Sequence, residues 1–276
     1  MIKHLPASEY RADKTLKYED VLGLHELYAK LAFNSNLILS GPKGIGKSLS
    51  VATFAAEFNT PIITFDCSED VRRSHLLGLY VLRGDETPFI LGPLTTAFEI
   101  ANEAKMCILC LEEINALTPQ MQKVLNAPSD FRRKVEVPEA EKVFRLKNGA
   151  KLWIVGTMNT ATYGGVYQLN EDLKSRFRLV PLNYPDPKKE KTVLETVLNG
   201  ISDKSLIEKV ITLGHETRQK ALEYALSTRD LVQILEDIEL VGLEKAMWIA
   251  LGKFEGEDLD TVAKRIQSIF GVVVKV

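Results

Sequence analysis

Eight consecutive residues, Gly41-Pro42-Lys43-Gly44-Ile45-Gly46-Lys47-Ser48, match G-x-x-x-x-G-K-[ST] at every fixed position. The apolar run Leu37-Ile38-Leu39 precedes them, and a helix-compatible stretch from Leu49 to Phe58 follows. A strand, a tight loop and a helix in this order commit the chain to an α/β arrangement around that turn. The glycines let backbone N–H groups turn inward as an anion-binding nest, and the new helix adds its positive end. At this spacing Lys47 reaches the β- and γ-phosphates of a nucleoside triphosphate, and the Ser48 hydroxyl holds Mg²⁺.

The 276 residues suffice for one large domain, or one with a small appendage. A hydrophobic share of 45% with 26% charged residues supports a normal core. The net charge of −2 argues against a dedicated electrostatic binder of nucleic acid. No apolar run approaches the ~20 residues of a membrane span, and the first sixteen residues are too polar for a signal peptide, so a cytoplasmic protein without membrane insertion is expected. Three cysteines do not make a disulfide framework. Cys107 and Cys110 form a C-x-x-C, but inside a strand-like run residues three apart point to opposite faces, so core packing is expected. The four histidines are scattered without metal-binding spacing.

Strand-like runs recur at Leu37–Ser40, Pro61–Asp66, Met106–Leu111, Leu152–Thr157 and Leu179–Leu182, with helical patterns such as Pro93 to Ala104 and Pro119 to Leu125 between them. This alternation predicts a parallel five-stranded sheet covered by helices. Tyr184-Pro185-Asp186-Pro187 breaks the chain, and beyond it only helices are expected, at Lys188–Leu198, Ser205–Ala225, Thr228–Leu240 and Asp258–Phe270. The expected division is an α/β core over residues 1–185 and a small all-helical domain over 186–276. Two stretches alternate apolar with polar residues and predict inserted hairpins: Leu79 to Ile90, with a Gly-Asp turn, and Arg133 to Leu146.

The run Met106–Leu111 delivers Glu112-Glu113 to its C-terminal tip, the edge at which open α/β sheets bind ligands. Glu112 is placed to bind Mg²⁺ through water, and Glu113 to polarise the attacking water. The run from Leu152 ends in Met158-Asn159, whose amide can orient that water or the γ-phosphate. Arg176, with Arg178 in reserve, is a candidate for a guanidinium supplied to a neighbouring subunit's phosphate. Ser227-Thr228-Arg229 starts a helix with a hydroxyl cap and places Arg229 in its first turn.

Together these residues resemble the AAA+ ATPases over roughly residues 18 to 240. In that light Gly41–Ser48 looks like Walker A, Glu112-Glu113 like Walker B, Asn159 like sensor 1 and Arg229 like sensor 2. Asp20-Val21-Leu22-Gly23 looks like the segment that cups adenine. The implied nucleotide contacts are Val21, Leu22, Gly23, Gly41, Pro42, Lys43, Gly44, Ile45, Gly46, Lys47, Ser48 and Leu49; Ser48 and Glu112 hold the metal, and Glu113, Asn159, Arg176 and Arg229 serve catalysis. Within AAA+ the chain most resembles the MoxR class, CbbQ/NorQ branch, through Cys67-Ser68-Glu69-Asp70, His75-Leu76-Leu77-Gly78, Gly92-Pro93-Leu94-Thr95 and Glu112-Glu113-Ile114-Asn115. Asp130-Phe131-Arg132-Arg133, Tyr163-Gly164-Gly165, Leu169-Asn170 and Ser175-Arg176-Phe177 add to that likeness. Glu112 stands where the family usually has Asp, a reach longer by about an ångström. The resemblance implies a hexameric ring that binds ATP and Mg²⁺ between subunits. Its hairpins would engage a protein substrate, with a von Willebrand factor A-domain protein as a possible partner. A nucleic-acid motor using Arg132-Arg133-Lys134, and a nucleotide-gated assembly protein with little turnover, are the alternatives.

Overall fold

The computed structural model describes residues 4–32, 35–159, 167–198, 203–219 and 222–274. It contains two compact units. One comprises Met1–Leu16, Gly23–Gly41 and Lys47–Leu182; the other comprises Lys17–Leu22, Pro42–Gly46 and Asn183–Val276.

Along the chain the strands are β1 (Asn36–Ser40), β2 (Ile62–Asp66), β3 (Gly78–Tyr80), β4 (Phe89–Leu91), β5 (Met106–Glu112), β6 (Lys134–Val137), β7 (Lys142–Arg145), β8 (Lys151–Met158) and β9 (Phe177–Pro181). Five of them form one parallel sheet in the order β2-β5-β8-β1-β9. The parallel five-stranded sheet expected from the alternating runs is therefore present. The inner strands β1, β5 and β8 are buried almost throughout and read as continuous apolar runs, while the edge strands β2 and β9 are partly exposed. The outermost, β9, begins two residues earlier than its apolar run, because Phe177 already pairs with Asn36 of β1.

Each face of the sheet has its own core. On one, helix Pro93–Ala104 buries Leu94, Ala97, Phe98, Ile100 and Ala101 in a cluster that also holds Cys107, Leu109 and Leu111 of β5. Burying Phe98 completely contributes about 2 kcal/mol. Pro93 starts the helix where its missing N–H is harmless, and Lys105 ends it in a left-handed turn that leads straight into β5. On the other side, Tyr28, Phe54 and Trp153 meet edge to face, with ring centroids 5.4 to 5.8 Å apart. Cys107 lies in the first cluster and Cys110 does not, so the C-x-x-C splits across the sheet as strand geometry requires. Burial pushes the Cys107 thiol up to about 12, in keeping with a packing role.

Both inserted hairpins form. β3 pairs antiparallel with β4, Leu79 opposite Ile90, and β6 with β7, Val135 opposite Phe144. The second is anchored by one face only: Val135, Val137 and Phe144 are buried, while Glu136, Val143 and Arg145 face outward.

The second unit is helical among its described residues: Pro187–Val197, Lys204–Gln219, Thr228–Val241, Leu243–Leu251 and Gly256–Phe270. Leu194, Val210, Leu213, Leu231, Met247 and Ile266 lie at its core. Two sequence expectations need correction here. Helix Leu243–Leu251 was not foreseen, since only Gly242 separates it from the helix before, and its apolar residues run too densely to show a face. The helix expected over Ser205–Ala225 is present over the described residues Lys204–Gln219, while the described residues 222–225 are not helical. Its last turn is drawn away from the helical pattern: Leu226 N–H donates to Thr217 Oγ1 at 3.1 Å, and Arg218 Nε donates to Leu226 O at 2.7 Å.

Candidate nucleotide site

Strand order places the chemistry. β8 lies between β1 and β5, so the C-terminal tips of these three strands stand side by side. Lys47, the first residue of helix Lys47–Glu57, follows the loop from β1 and is buried. Its Nζ donates to Gly41 O at 2.8 Å and to Asn159 Oδ1 at 3.1 Å. Asn159, just past β8, donates from Nδ2 to Glu113 Oε1 at 3.0 Å. A cation, an amide and a carboxylate thus form one hydrogen-bonded line across three adjacent strand tips.

Glu113 leaves β5 with φ of +51°, a left-handed conformation that costs a residue with a Cβ about 1–2 kcal/mol. Its backbone N–H donates to Thr157 Oγ1 at 3.3 Å, which fixes that turn against β8. Asn115, buried, donates from Nδ2 to Asn159 O at 3.4 Å. Asn115 and Thr157 therefore support the line, and sequence reasoning assigned neither a part in it. The signal for Asn115 was its place two residues past the carboxylate pair; Thr157 gave none.

Ser48 follows Lys47, and Glu112 closes β5. Neither side chain makes a hydrogen bond among the described residues, so two hard oxygen donors remain available. No cluster of three or more His, Cys, Asp or Glu side chains suited to a metal occurs among the described residues. That set fits Mg²⁺, which takes few protein ligands and fills its shell with water and phosphate oxygens.

The loop apex, Pro42–Gly46, belongs to the helical unit. Gly44 and Gly46 have φ of +70° and +86°. Gly44 O accepts from Arg229 N at 3.2 Å, and a Cβ on Gly44 would lie 2.3 Å from Ser227 Oγ. Ser227 cannot move away freely, because it caps helix Thr228–Val241 in a reciprocal pair with Asp230. Gly44→Ala is therefore expected to weaken ADP binding at least about tenfold, through backbone strain plus overlap. Calorimetric titration checks this; unchanged affinity would mean that the apex relaxes without harm.

Arg229 meets the loop through its backbone; its side chain is exposed. Arg176 lies outside the Lys47–Asn159–Glu113 line. Its Nε is 3.4 Å from Asp130 Oδ2, and it also donates to Asp172 O. Arg132, chiefly, and Arg176 hold the Asp130 carboxyl far below the usual range. Arg178 is tied to Ser35 Oγ at 2.9 Å. Gly23 caps helix Leu24–Leu31 with φ of +69°, and Val21 and Leu22 precede it. Tyr163-Gly164-Gly165 lies outside the described residues. In the basic run, Arg132 pairs with Asp130, Lys134 with Glu136, and Arg133 turns inward to Asn36 Oδ1 and Leu152 O.

The model of the AAA domain, dynein-related subfamily, matches residues 36–177, more than half of the chain. The chain belongs to this family of AAA+ ATPases. The matched span of this AAA+ protein includes the loop, both strand-tip carboxylates, Asn159 and Arg176, and ends before Arg229. Among similar proteins, SH1500 of Staphylococcus haemolyticus is 29% identical over 231 residues, covering 79% of this chain and 84% of its own. YojN of Bacillus subtilis is 30% identical over 202 residues, 72% of this chain and 64% of its own. The Holliday junction branch migration motor RuvB of Thermotoga maritima superposes with a TM-score of 0.51 at 13% identity, over 94% of this AAA+ protein and 73% of RuvB. That likeness is one of fold.

Proposed function

We propose that this AAA+ protein hydrolyses ATP and uses the energy, as a ring of identical subunits, to remodel a protein complex in the manner of the MoxR class, CbbQ/NorQ branch. The observation that carries the ATPase reading is the hydrogen-bonded line Lys47–Asn159–Glu113. Lys47 trades its contact with Gly41 O for β- and γ-phosphate oxygens. Asn159 orients a water, and the Glu113 carboxylate takes that water's proton while its oxygen bonds to the γ-phosphorus and the bond to the ADP oxygen breaks. Ser48 and Glu112 hold Mg²⁺, which neutralises phosphate charge when bound. Val21, Leu22 and Gly23 sit against adenine, and Arg229 senses nucleotide. Residues 1–185 act as the nucleotide-binding core and 186–276 as the lid domain.

The remodelling part of the proposal rests on the MoxR-like motifs and the two hairpins, whose outward faces would meet a protein substrate or a von Willebrand factor A-domain partner. A cytoplasmic location is part of the same proposal; no helix among the described residues is long and apolar enough to cross a membrane. In the nucleic-acid alternative, Arg132 and Lys134 would exchange their exposed ion pairs with Asp130 and Glu136 for phosphate oxygens.

Arg176 makes its contacts away from the Lys47 line, which suits a guanidinium that serves a neighbour's γ-phosphate. Arg176→Ala should leave ATP binding near normal and lower hydrolysis about 10³-fold. Turnover per subunit should rise with protein concentration in the wild type. Mixing Arg176→Ala with Glu113→Gln subunits should restore part of it, since some interfaces then pair an intact arginine with an intact base. Absence of rescue at every ratio would remove the trans role. Concentration-independent turnover from a species that sediments as a monomer would remove the ring.

A further inference from the structure

In the helical unit a fully buried carboxylate, Glu190, collects four donors and leads by two routes to the apex of the glycine loop. Arg218 holds it with two parallel bonds, Nη1 to Oε2 and Nη2 to Oε1, both 2.9 Å. Thr228 Oγ1 donates to Oε1 at 2.6 Å, and His215 Nε2 lies 3.1 Å from Oε2. The guanidinium of Arg218 also stacks 4.0 Å over the ring of Tyr184, whose hydroxyl donates to Lys43 O at 3.3 Å. Thr228 is followed by Arg229, whose N–H donates to Gly44 O at 3.2 Å.

These two carbonyls decide where the loop's N–H groups point. A peptide unit is planar and trans, so its C=O and the next N–H point in opposite directions. A donor on Lys43 O therefore aims the Gly44 N–H, and a donor on Gly44 O aims the Ile45 N–H. A phosphate nest depends on successive N–H groups facing the anion together. Without outer partners, glycine-rich peptide planes rotate cheaply, and part of the binding energy goes into ordering them.

We propose that Tyr184 and Arg218, fixed by Glu190, are positioning residues for the phosphate loop: they hold its N–H groups toward the β-phosphate before nucleotide arrives. This inference rests on the reading of Gly41–Ser48 as a nucleotide site.

The test is calorimetric titration of the full chain with ADP and with AMP in the presence of Mg²⁺, wild type against Tyr184→Phe. Phenylalanine keeps the ring under Arg218 and removes only the hydroxyl. ADP affinity should fall about five- to tenfold, the size of one lost hydrogen bond, while AMP affinity and the melting temperature stay unchanged. Arg218→Lys, which loses the bidentate and stacked geometry, should shift ADP affinity in the same direction. Equal ADP affinity in wild type and Tyr184→Phe would overturn the proposal and leave the nucleotide reading standing. Equal losses for ADP and AMP would overturn it as well, since the effect would not lie at the β-phosphate. Failure of the wild type to bind ADP would overturn both.

Discussion

Glu113→Gln is expected to lower ATP turnover by about 10²–10³-fold while ATP remains bound. The substitution is nearly isosteric, and a glutamine Oε1 can still accept the 3.0 Å bond from Asn159 Nδ2. The left-handed turn at residue 113 and its anchor on Thr157 are backbone features and persist. What disappears is the basicity that draws a proton from water, so the loss falls on the chemical step and spares binding. Steady-state hydrolysis paired with ATP titration separates the two. If the variant turned over within threefold of wild type, the base would lie elsewhere. Glu112, the adjacent carboxylate, would be the next one replaced.

Lys47→Ala should act earlier, at binding, and weaken ADP by at least about 100-fold. The ammonium is buried and donates to Gly41 O and Asn159 Oδ1; on the proposed reading, phosphate oxygens take the place of Gly41 O. Charge-assisted bonds of this kind are worth about 1.5–3 kcal/mol each, more when shielded from water. Nucleotide stabilises the native state in proportion to its occupancy, so the wild type should melt at higher temperature with ADP and the variant should not. A variant that is still stabilised by ADP would place the phosphates elsewhere. Both variants leave Asn115 and its bond to Asn159 O in place, so a general collapse of the strand tips is not expected to blur the comparison.

The two substitutions divide the line between affinity and turnover, and Asn159 touches both ends of it. This dual contact is a product of strand order. Had β5 lain directly beside β1, no third strand would have placed an amide between Lys47 and Glu113. Nothing local in Leu152–Thr157 reveals which neighbours it takes, because the same apolar run serves at any central position of a parallel sheet.

Local signals carried much of the architecture. Apolar strand-like runs gave the five sheet strands, period-two alternation gave both hairpins, and the hydroxyl cap in Ser227-Thr228-Arg229 gave a helix start. They failed where the signal was weak or long-range. Leu243–Leu251 exposes the apolar Trp248 and Ile249 beside Glu244 and Lys245, which blurs its face, and the described end of helix Lys204–Gln219 is held by bonds to Leu226.

By itself the sequence determined that a glycine loop joins a strand to a helix, that two carboxylates end another strand, and that this is an α/β chain with helices beyond residue 185. Those are matters of residue type and short spacing. Only the tertiary structure decided that β8 separates β1 from β5, that Asn159 joins Lys47 to Glu113, and that Asn115 and Thr157 brace them. It also decided that the loop apex belongs with the helices, through Arg229 N–H and Tyr184 OH. The physical reason is the same throughout: hydrogen bonds between residues tens of positions apart depend on which elements become neighbours, and that is settled by packing the whole core at once.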